Sequence, residues 1–211
     1  MNNIYSFITL LAIFILGCTP KIIEKDKVTK KIDSLDLNIF SKSGDKKYSI
    51  TSPSSIYDSI NHKFEFKKTT INIFHSGETK YIINSDESTL SDNNKLIVLK
   101  GNVKLKTIEQ DDDNLYADNF IWNIDETNYL LSGNVRYENK NVILTSGEAK
   151  MGQDNIIEFF DPVKYIIKDD NNESKYETNS ENAFYDIDKK SLSFRAKNKS
   201  KDKRVRSKIY F

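Results

Sequence analysis

Cysteine, histidine, proline and tryptophan are scarce in this chain of 211 residues, which has one cysteine, two histidines, three prolines and one tryptophan. A single cysteine excludes a framework of disulfide bonds within the chain. The two histidines, His62 and His75, lie beside turns. A serine triad or a metal cluster needs a third convergent residue, and the residue spacing does not supply such a partner for either histidine. We therefore expect no enzyme activity, no cofactor and no metal ion.

A large net charge of either sign is also missing, because 32 Lys and Arg residues nearly balance 31 Asp and Glu residues and leave a formal charge of +1. Without a basic excess there is no general case for nucleic acid as a partner. The acidic runs Asp111–Asp113 and Asp169–Asp170 lack the alternating ligand spacing of a calcium loop. We interpret them as solvated hairpin turns.

Charged side chains are absent from residues 1–18, where an apolar run from Ile4 ends in Leu16-Gly17-Cys18. The run of about 14 residues is shorter than the roughly 20 that a membrane-spanning helix needs. Residues 1–17 are therefore predicted to be a secretion signal. The small residue before the cysteine resembles a bacterial lipoprotein signal, in which Cys18 becomes the lipidated N-terminus. An uncleaved membrane anchor and a chance cysteine are the alternatives, and all three place the rest of the chain outside the cytoplasm.

Polar extensions flank the predicted domain on both sides. Residues 18–36 combine mixed charge with few apolar positions, which predicts a tether. The helical spacing of Val28, Ile32 and Leu35 leaves a short amphipathic turn on the membrane as an alternative. Residues 197–211 form a basic tail. The tail is interpreted as solvated, and the alternatives are a basic patch for anionic lipid head groups or phosphates and a charged edge strand that resists mispairing.

A repeat organises the region between these extensions. Residues 85–103, SDESTLSDNNKLIVLKGNV, return at an offset of 32 as residues 117–135, ADNFIWNIDETNYLLSGNV, and both copies end in Gly-Asn-Val. Weaker copies begin at Ser52, Thr145 and Ser180, which makes five units. A fixed period of this length indicates a repeated structural unit.

Apolar residues recur with a period of two inside each unit, which is typical of a β-strand and not of a helix. Such strands bury one face and leave the other in water. A lone glycine inside a strand, here Gly101 and Gly133, more often marks a bulge or bend than a phosphate loop. Residues 37–196 are therefore predicted to form one all-β domain of about ten antiparallel strands, curled because a twisted sheet of that size rarely stays flat.

Two short motifs connect this pattern to a known family. The first motif is the ending Leu-x-Gly-x-Val, which occurs at Leu99–Val103 and Leu131–Val135. The second motif begins with Ala or Ser and an acidic residue, continues with aromatic residues and ends in Asp, and it occurs at Ala117–Asp125 and Ser180–Asp188. With these motifs, residues 33–196 resemble the OstA-like repeat of lipopolysaccharide-transport proteins. One membrane attachment followed by a single domain resembles the LptC branch of that family. The resemblance implies a single open, twisted β-jellyroll behind an N-terminal membrane anchor.

The same resemblance implies a function in lipopolysaccharide export. The jellyroll groove would accept lipopolysaccharide or a related glycolipid from an inner-membrane ABC transporter complex and pass it to an LptA-like periplasmic bridge protein through the sheet edges. The chain would then be periplasmic and anchored to the inner membrane, with the outer membrane as the alternative. A structural or adhesive β-repeat lipoprotein without lipid cargo is the second hypothesis, and it predicts a dry, filled interior.

The period of two also predicts which side chains line the groove. Apolar residues of one parity share a face, and a slip of one residue would turn the whole set outward. Trp122 is interpreted as core or as the lining of a lipid cavity. The predicted groove residues are Ile97, Leu99, Val103, Leu105, Phe120, Trp122, Tyr129, Leu131, Val135, Tyr137, Phe159, Val163 and Tyr165.

Overall fold

The structure is a computed structural model that describes residues 29–91, 95–108, 113–126, 128–152, 154–168, 173–195 and 206–209. Strands dominate these ranges, and no helix within them is long and apolar enough to span a membrane. The strands are β1 (Thr29–Phe40), β2 (Lys46–Asp58), β3 (Lys63–His75), β4 (Glu78–Ser91), β5 (Leu96–Thr107), β6 (Asn114–Asn123), β7 (Asn128–Glu138), β8 (Val142–Met151), β9 (Ile156–Lys168), β10 (Ser174–Asp186), β11 (Ser191–Arg195) and β12 (Arg206–Ile209).

All twelve strands belong to one antiparallel sheet, in which the order of β1 to β11 follows the order of the sequence. The last two strands share a neighbour. β11 pairs with residues 182–186 of β10, whereas β12 pairs with residues 176–179 of the same strand. The all-β, antiparallel jellyroll predicted from the sequence is confirmed.

Every ladder from β1 to β10 is interrupted near the middle of its strands. Ser34, Lys68, Asn102 and Asn134 have left-handed backbones there, with φ between 46° and 55°. The ladder between β5 and β6 changes register between Lys100 and Val103, and the other ladders break at equivalent places. Because a bulge bends a strand and increases its twist, this line of breaks folds the sheet along its middle.

We name the two halves of the folded sheet arm A and arm B. Arm A contains residues 35–40, 46–52, 69–75, 78–85, 103–107, 114–117, 135–138, 142–146, 163–168, 174–180 and 206–209. Arm B contains residues 29–33, 54–58, 63–67, 87–91, 96–100, 119–123, 128–132, 148–151, 156–160, 182–186 and 191–195. Each of the strands β1 to β10 therefore contributes one half to each arm.

The two arms face each other across one hydrophobic core. Tyr48 in arm A of β2 packs against Trp122 in arm B of β6, with 5.1 Å between ring centroids. The Tyr137 hydroxyl of β7 donates a hydrogen bond of 2.8 Å to the Tyr185 hydroxyl of β10. Since these partners lie several strands apart in the sheet, the sheet twists as it folds, as strand geometry requires.

The bends also decide which residues face inward. In β6 the inward side chains on either side of the bend, Ala117 and Phe120, are three residues apart, so the parity of the buried face changes. In β5 the corresponding pair, Leu99 and Val103, is four residues apart, so the parity is kept. A bend can therefore preserve or reverse an alternating pattern.

The sheet begins earlier and ends later than residues 37–196. β1 starts at Thr29, inside the segment predicted as a tether. Its apolar residues Ile32 and Leu35 are three apart because Ser34 bends the strand between them, and that interval imitates helical spacing. At the other end, residues 206–209 of the predicted basic tail pair with β10.

Candidate functional site: the interior between the arms

The predicted groove residues all lie on the inner face of the folded sheet. Twelve of them are buried, from Leu99, Phe120, Val135 and Phe159 at 0% exposure to Tyr129 at 9%. The remaining one, Tyr165, is half-buried and packs against the same core. Lipid binding by this set stays a prediction. Cys18 lies outside the described residues, and its lipidation also stays a prediction.

Sequence reasoning found Phe120 and Trp122 in β6 but missed most interior positions of β2, β3, β4, β8 and β10. The signal was present in the even-numbered strands β2 to β10, each of which carries two small or apolar residues three apart, such as Ser85 and Ser88 in β4. A search for apolar residues with a strict period of two ends at that interval, because the interval changes the parity of the buried face. The missed interior residues include Tyr48, Ile50, Ile71, Ile83, Leu90, Leu115, Leu144, Met151 and Tyr185.

Buried serines line the bend at the base of the interior. Ser52, Ser146 and Ser180 each donate a side-chain hydrogen bond to the backbone carbonyl two residues later, at distances of 2.7, 2.7 and 3.2 Å. Ser52 also donates to the carbonyl of Lys67 at 2.6 Å. Where a bend removes ladder hydrogen bonds, a short hydroxyl side chain satisfies the buried carbonyl without filling space.

The two main repeats build the bend with the same three residues. Asn134 donates a hydrogen bond of 2.7 Å to the Asp118 carboxylate, and Asn102 donates one of 2.7 Å to Asp86. The preceding glycine, Gly133 in the second copy, has φ +74°, and a Cβ on it would lie 2.6 Å from the Asp118 carboxylate. The residues shared by the two repeats therefore form a structural corner.

Opposite the bend, the free ends of the arms meet along a line that we name the seam. It consists of the Tyr48–Trp122 contact, the Tyr137–Tyr185 hydrogen bond, and a hydrogen bond of 3.0 Å from the Tyr81 hydroxyl to Asn155. The apolar interior therefore lies between a serine-lined bend on one side and an aromatic and polar seam on the other.

Burial raises the pKa of the interior tyrosines further above neutral pH. Desolvation raises the pKa of Tyr48 and that of Tyr129 to about 12. Burial also raises the pKa of Tyr137, with a smaller contribution from its hydrogen bond to Tyr185. Neutral hydroxyls let the seam approach an apolar ligand without placing a charge beside it.

A cavity of about 360 Å³ opens between the arms at Tyr48, Trp122 and Tyr129. Lys47, His75 and Lys80 are among the polar residues at its rim. The Trp122 indole Nε1 is buried without a hydrogen-bond partner.

Both histidines lie at the surface. His62 lies in the turn after β2, and His75 ends β3, both exposed. Within the described ranges, no three His, Cys, Asp or Glu side chains are grouped to hold a metal ion. The described interior is lined by apolar side chains, which suits it to the burial of apolar groups.

Comparison with known proteins gives one family and one fold. A family model described as "Lipopolysaccharide-assembly, LptC-related" matches residues 5–132. The chain is similar to the crystal structure of LptH, the LptA-homologous periplasmic component of the lipopolysaccharide transport device of Pseudomonas aeruginosa. That similarity has a TM-score of 0.50 and 15% identity over 62% of this chain and 94% of LptH, and it concerns the fold. The comparison with curated proteins gave no match.

Proposed function

Because the chain belongs to the LptC-related family of lipopolysaccharide-assembly proteins, we propose that it is a membrane-anchored periplasmic component of lipopolysaccharide export. It accepts the lipid from an inner-membrane ABC transporter complex between its arms and passes it to an LptA-like bridge protein. The observation that carries this proposal is the apolar interior that runs between the two arms from β2 to β10. The energy for movement comes from the transporter, so this chain acts as a conduit and not as an enzyme.

Burial of acyl chains in this interior compensates for their removal from the membrane. Each buried methylene is worth about 0.8 kcal/mol. The inner faces offer aliphatic and aromatic side chains over both arms, whereas the hydrophilic part of a glycolipid would stay outside in water. A groove bounded by one sheet therefore suits an amphiphile with several acyl chains.

Lipid enters, in this proposal, by separation of the arms at the seam. The interior is closely packed, with side chains such as Leu99 and Phe159 fully buried, so acyl chains need space that the closed form does not offer. The seam has few cross-arm contacts, whereas the bend is covalently continuous and hydrogen-bonded. Opening at the Tyr137–Tyr185 bond therefore disrupts less structure than opening at the bend.

The two sheet edges serve as docking sites for partner proteins. β1 forms one edge, and β11 with β12 forms the other. An edge strand presents unpaired backbone donors and acceptors that pair with a strand from another protein. Phe40 at the end of β1 is 57% exposed, which favours an apolar contact at that edge. We expect the transporter at one edge and the bridge protein at the other.

Photocrosslinking in membranes with active transport tests the lipid path. Crosslinkers at Tyr129 and Leu131, which face inward, should capture glycolipid. Crosslinkers at Ser132 and Asn134 should not, and Leu130 provides a matched apolar control because it adjoins Leu131 but is 48% exposed. Each variant is first checked for folding. If folded protein never captures lipid from the inward positions, the proposal is wrong.

The second function, a structural or adhesive β-repeat lipoprotein, is favoured by the same close packing. It predicts that inward crosslinkers capture only other parts of the same chain. Crosslinkers in Leu37–Phe40 and in Leu192–Arg195 separate the two functions further. Lipid transport predicts different partners at the two edges, one of them an ABC transporter subunit. Capture of one protein at both edges would support the structural function.

A further inference from the structure

The outer face of arm A carries a row of basic residues that is not explained by the lipid path. Register pairs Lys104 with Tyr116, Tyr116 with Arg136, Arg136 with Thr145 and Thr145 with Lys164 across β5 to β9. We name these five residues the basic row. None of them is acidic, and the row faces away from the core.

The matching row on arm B, at the same distance from the bend, has a different character. It runs through Lys67, Glu87, Lys100, Asn119, Ser132 and Glu148 on β3 to β8. Lys67 and Glu87 form an ion pair. Because its signs alternate, this row has no sustained potential. The two outer faces of the jellyroll therefore differ in electrostatic character although the whole chain is nearly neutral.

The cations of the basic row are close enough to act together. Lys104, Arg136 and Lys164 lie on alternate strands, about 10 Å apart, which is about one Debye length at physiological ionic strength. The Tyr116 ring lies between the first two, with 5.5 Å from its centroid to the lysine nitrogen and 5.9 Å to the guanidinium carbon. The two cations therefore lie on either side of the Tyr116 ring, and tyrosine is an amphipathic side chain.

Acidic residues lie beside the row and reduce its field without cancelling it. Glu138 pairs with Arg136 at 2.6 Å, and Glu177 pairs with Lys164 at 3.2 Å. In the ladder, the outward Lys104 faces Asn84 and Tyr116, neither of which is acidic. The balance of this face is therefore positive.

We propose that the basic row is a docking face for a bilayer that contains anionic phospholipid. A row of cations spaced over several strands, without a pocket, matches a surface of many anionic groups better than a single phosphate. An interfacial tyrosine between the cations suits the head-group region. Arm A then faces the membrane, arm B faces away from it, and both sheet edges stay free for strand pairing.

The inference rests on the proposed N-terminal anchor, which keeps the domain near a membrane. The chain between Cys18 and Thr29 spans at most roughly 40 Å when extended. Such a tether raises the local concentration of the membrane around the domain, so modest attraction is enough for docking. Each lysine near an anionic surface changes the equilibrium constant for docking by about fivefold.

The test uses the full-length chain in vesicles, with a photocrosslinker at Thr145 in the basic row or at Thr89 on the outer face of arm B. Vesicles of phosphatidylcholine are compared with vesicles in which phosphatidylglycerol replaces part of it. Thr145 should capture lipid in the anionic vesicles, less so at high salt, and Thr89 should not. The double variant Lys104→Glu/Lys164→Glu should reduce capture at Thr145 by more than about tenfold.

A matched variant separates a specific face from net charge. Lys100→Glu/Lys150→Glu changes the total charge by the same amount on arm B, and it should leave capture at Thr145 nearly unchanged. Equal loss with both pairs, equal capture from neutral vesicles, or capture of an acidic protein in native membranes in place of lipid would overturn the inference. The cargo proposal survives such a failure, because it is tested at the inward residues Tyr129 and Leu131.

Discussion

Replacement of Gly133 by alanine tests whether the shared corner of the repeats holds the bend. The glycine has φ +74°, and a Cβ there would lie 2.6 Å from the Asp118 carboxylate oxygen and 2.9 Å from the Asp118 Cβ. Real Cβ atoms do not approach so closely, so the Asp118 side chain must move. Its hydrogen bond from Asn134 is then weakened or lost.

The expected loss of stability follows from these two effects. A non-glycine residue in the left-handed region costs about 1–2 kcal/mol. The hydrogen bond to a carboxylate contributes up to about 1.5–3 kcal/mol in general, and about 1 kcal/mol is appropriate here because both side chains are exposed. We therefore expect Gly133→Ala to lower the free energy of unfolding by about 2–3 kcal/mol, which is large for a surface position.

Equilibrium unfolding in guanidinium chloride measures this change in the detergent-solubilised full chain. Fluorescence of Trp122 reports the transition, because it is the only tryptophan and it lies in the core. Gly147, at the bend of β8, is the matched control, since its φ is not left-handed and its Cβ would meet nothing within 4 Å. Gly147→Ala should be neutral or stabilise by up to about 1 kcal/mol.

Two results would refute this reasoning. The first is equal stability of the Gly133→Ala and Gly147→Ala variants. The second is full additivity of Gly133→Ala with Asp118→Ala, because the carboxylate is both the group that clashes and the acceptor, so the combined loss should be smaller than the sum.

Three further predictions use other parts of the chain. Leu131→Asp should lower the free energy of unfolding by several kcal/mol because it buries a charge. Leu130→Asp should change the free energy of unfolding by less than about 0.5 kcal/mol, and equal effects of the two substitutions would contradict the assigned inner face. Because burial raises the pKa of Tyr129 to about 12, the folded state keeps a proton that the unfolded state releases near pH 10, so this residue should lower stability between about pH 10 and 12 by up to about 1.4 kcal/mol per pH unit. In a series of unfolding curves, Tyr129→Phe should make the fall shallower by that amount, and the contributions of the other buried tyrosines, such as Tyr48, should remain. Metabolic labelling with a fatty acid should mark the wild type and not Cys18→Ser, and recovery of a chain with an intact leader would show a membrane anchor instead.

The strand architecture and the repeat follow from local patterns in the amino-acid sequence. Alternation of apolar and polar residues is a local property, because successive side chains of a strand point to opposite faces. It therefore predicted the inner face of β5 and β7 correctly. Gly101 and Gly133 indicated bends for an equally local reason, since few other residues tolerate their backbone conformation.

The way in which the alternating segments are joined, and the residues that they contact, cannot be read from local patterns and depend on the folded sheet. The bend at Ser34 hides β1 from a period-of-two search, and the change of parity between Ala117 and Phe120 divides one strand into two patterns. Lys100 and Lys104 have the same parity in the sequence, yet they lie on opposite arms. The basic row depends on the register of five neighbouring strands. The seam depends on the twist accumulated over several strands, and no local pattern carries that twist, because it is a property of the whole sheet.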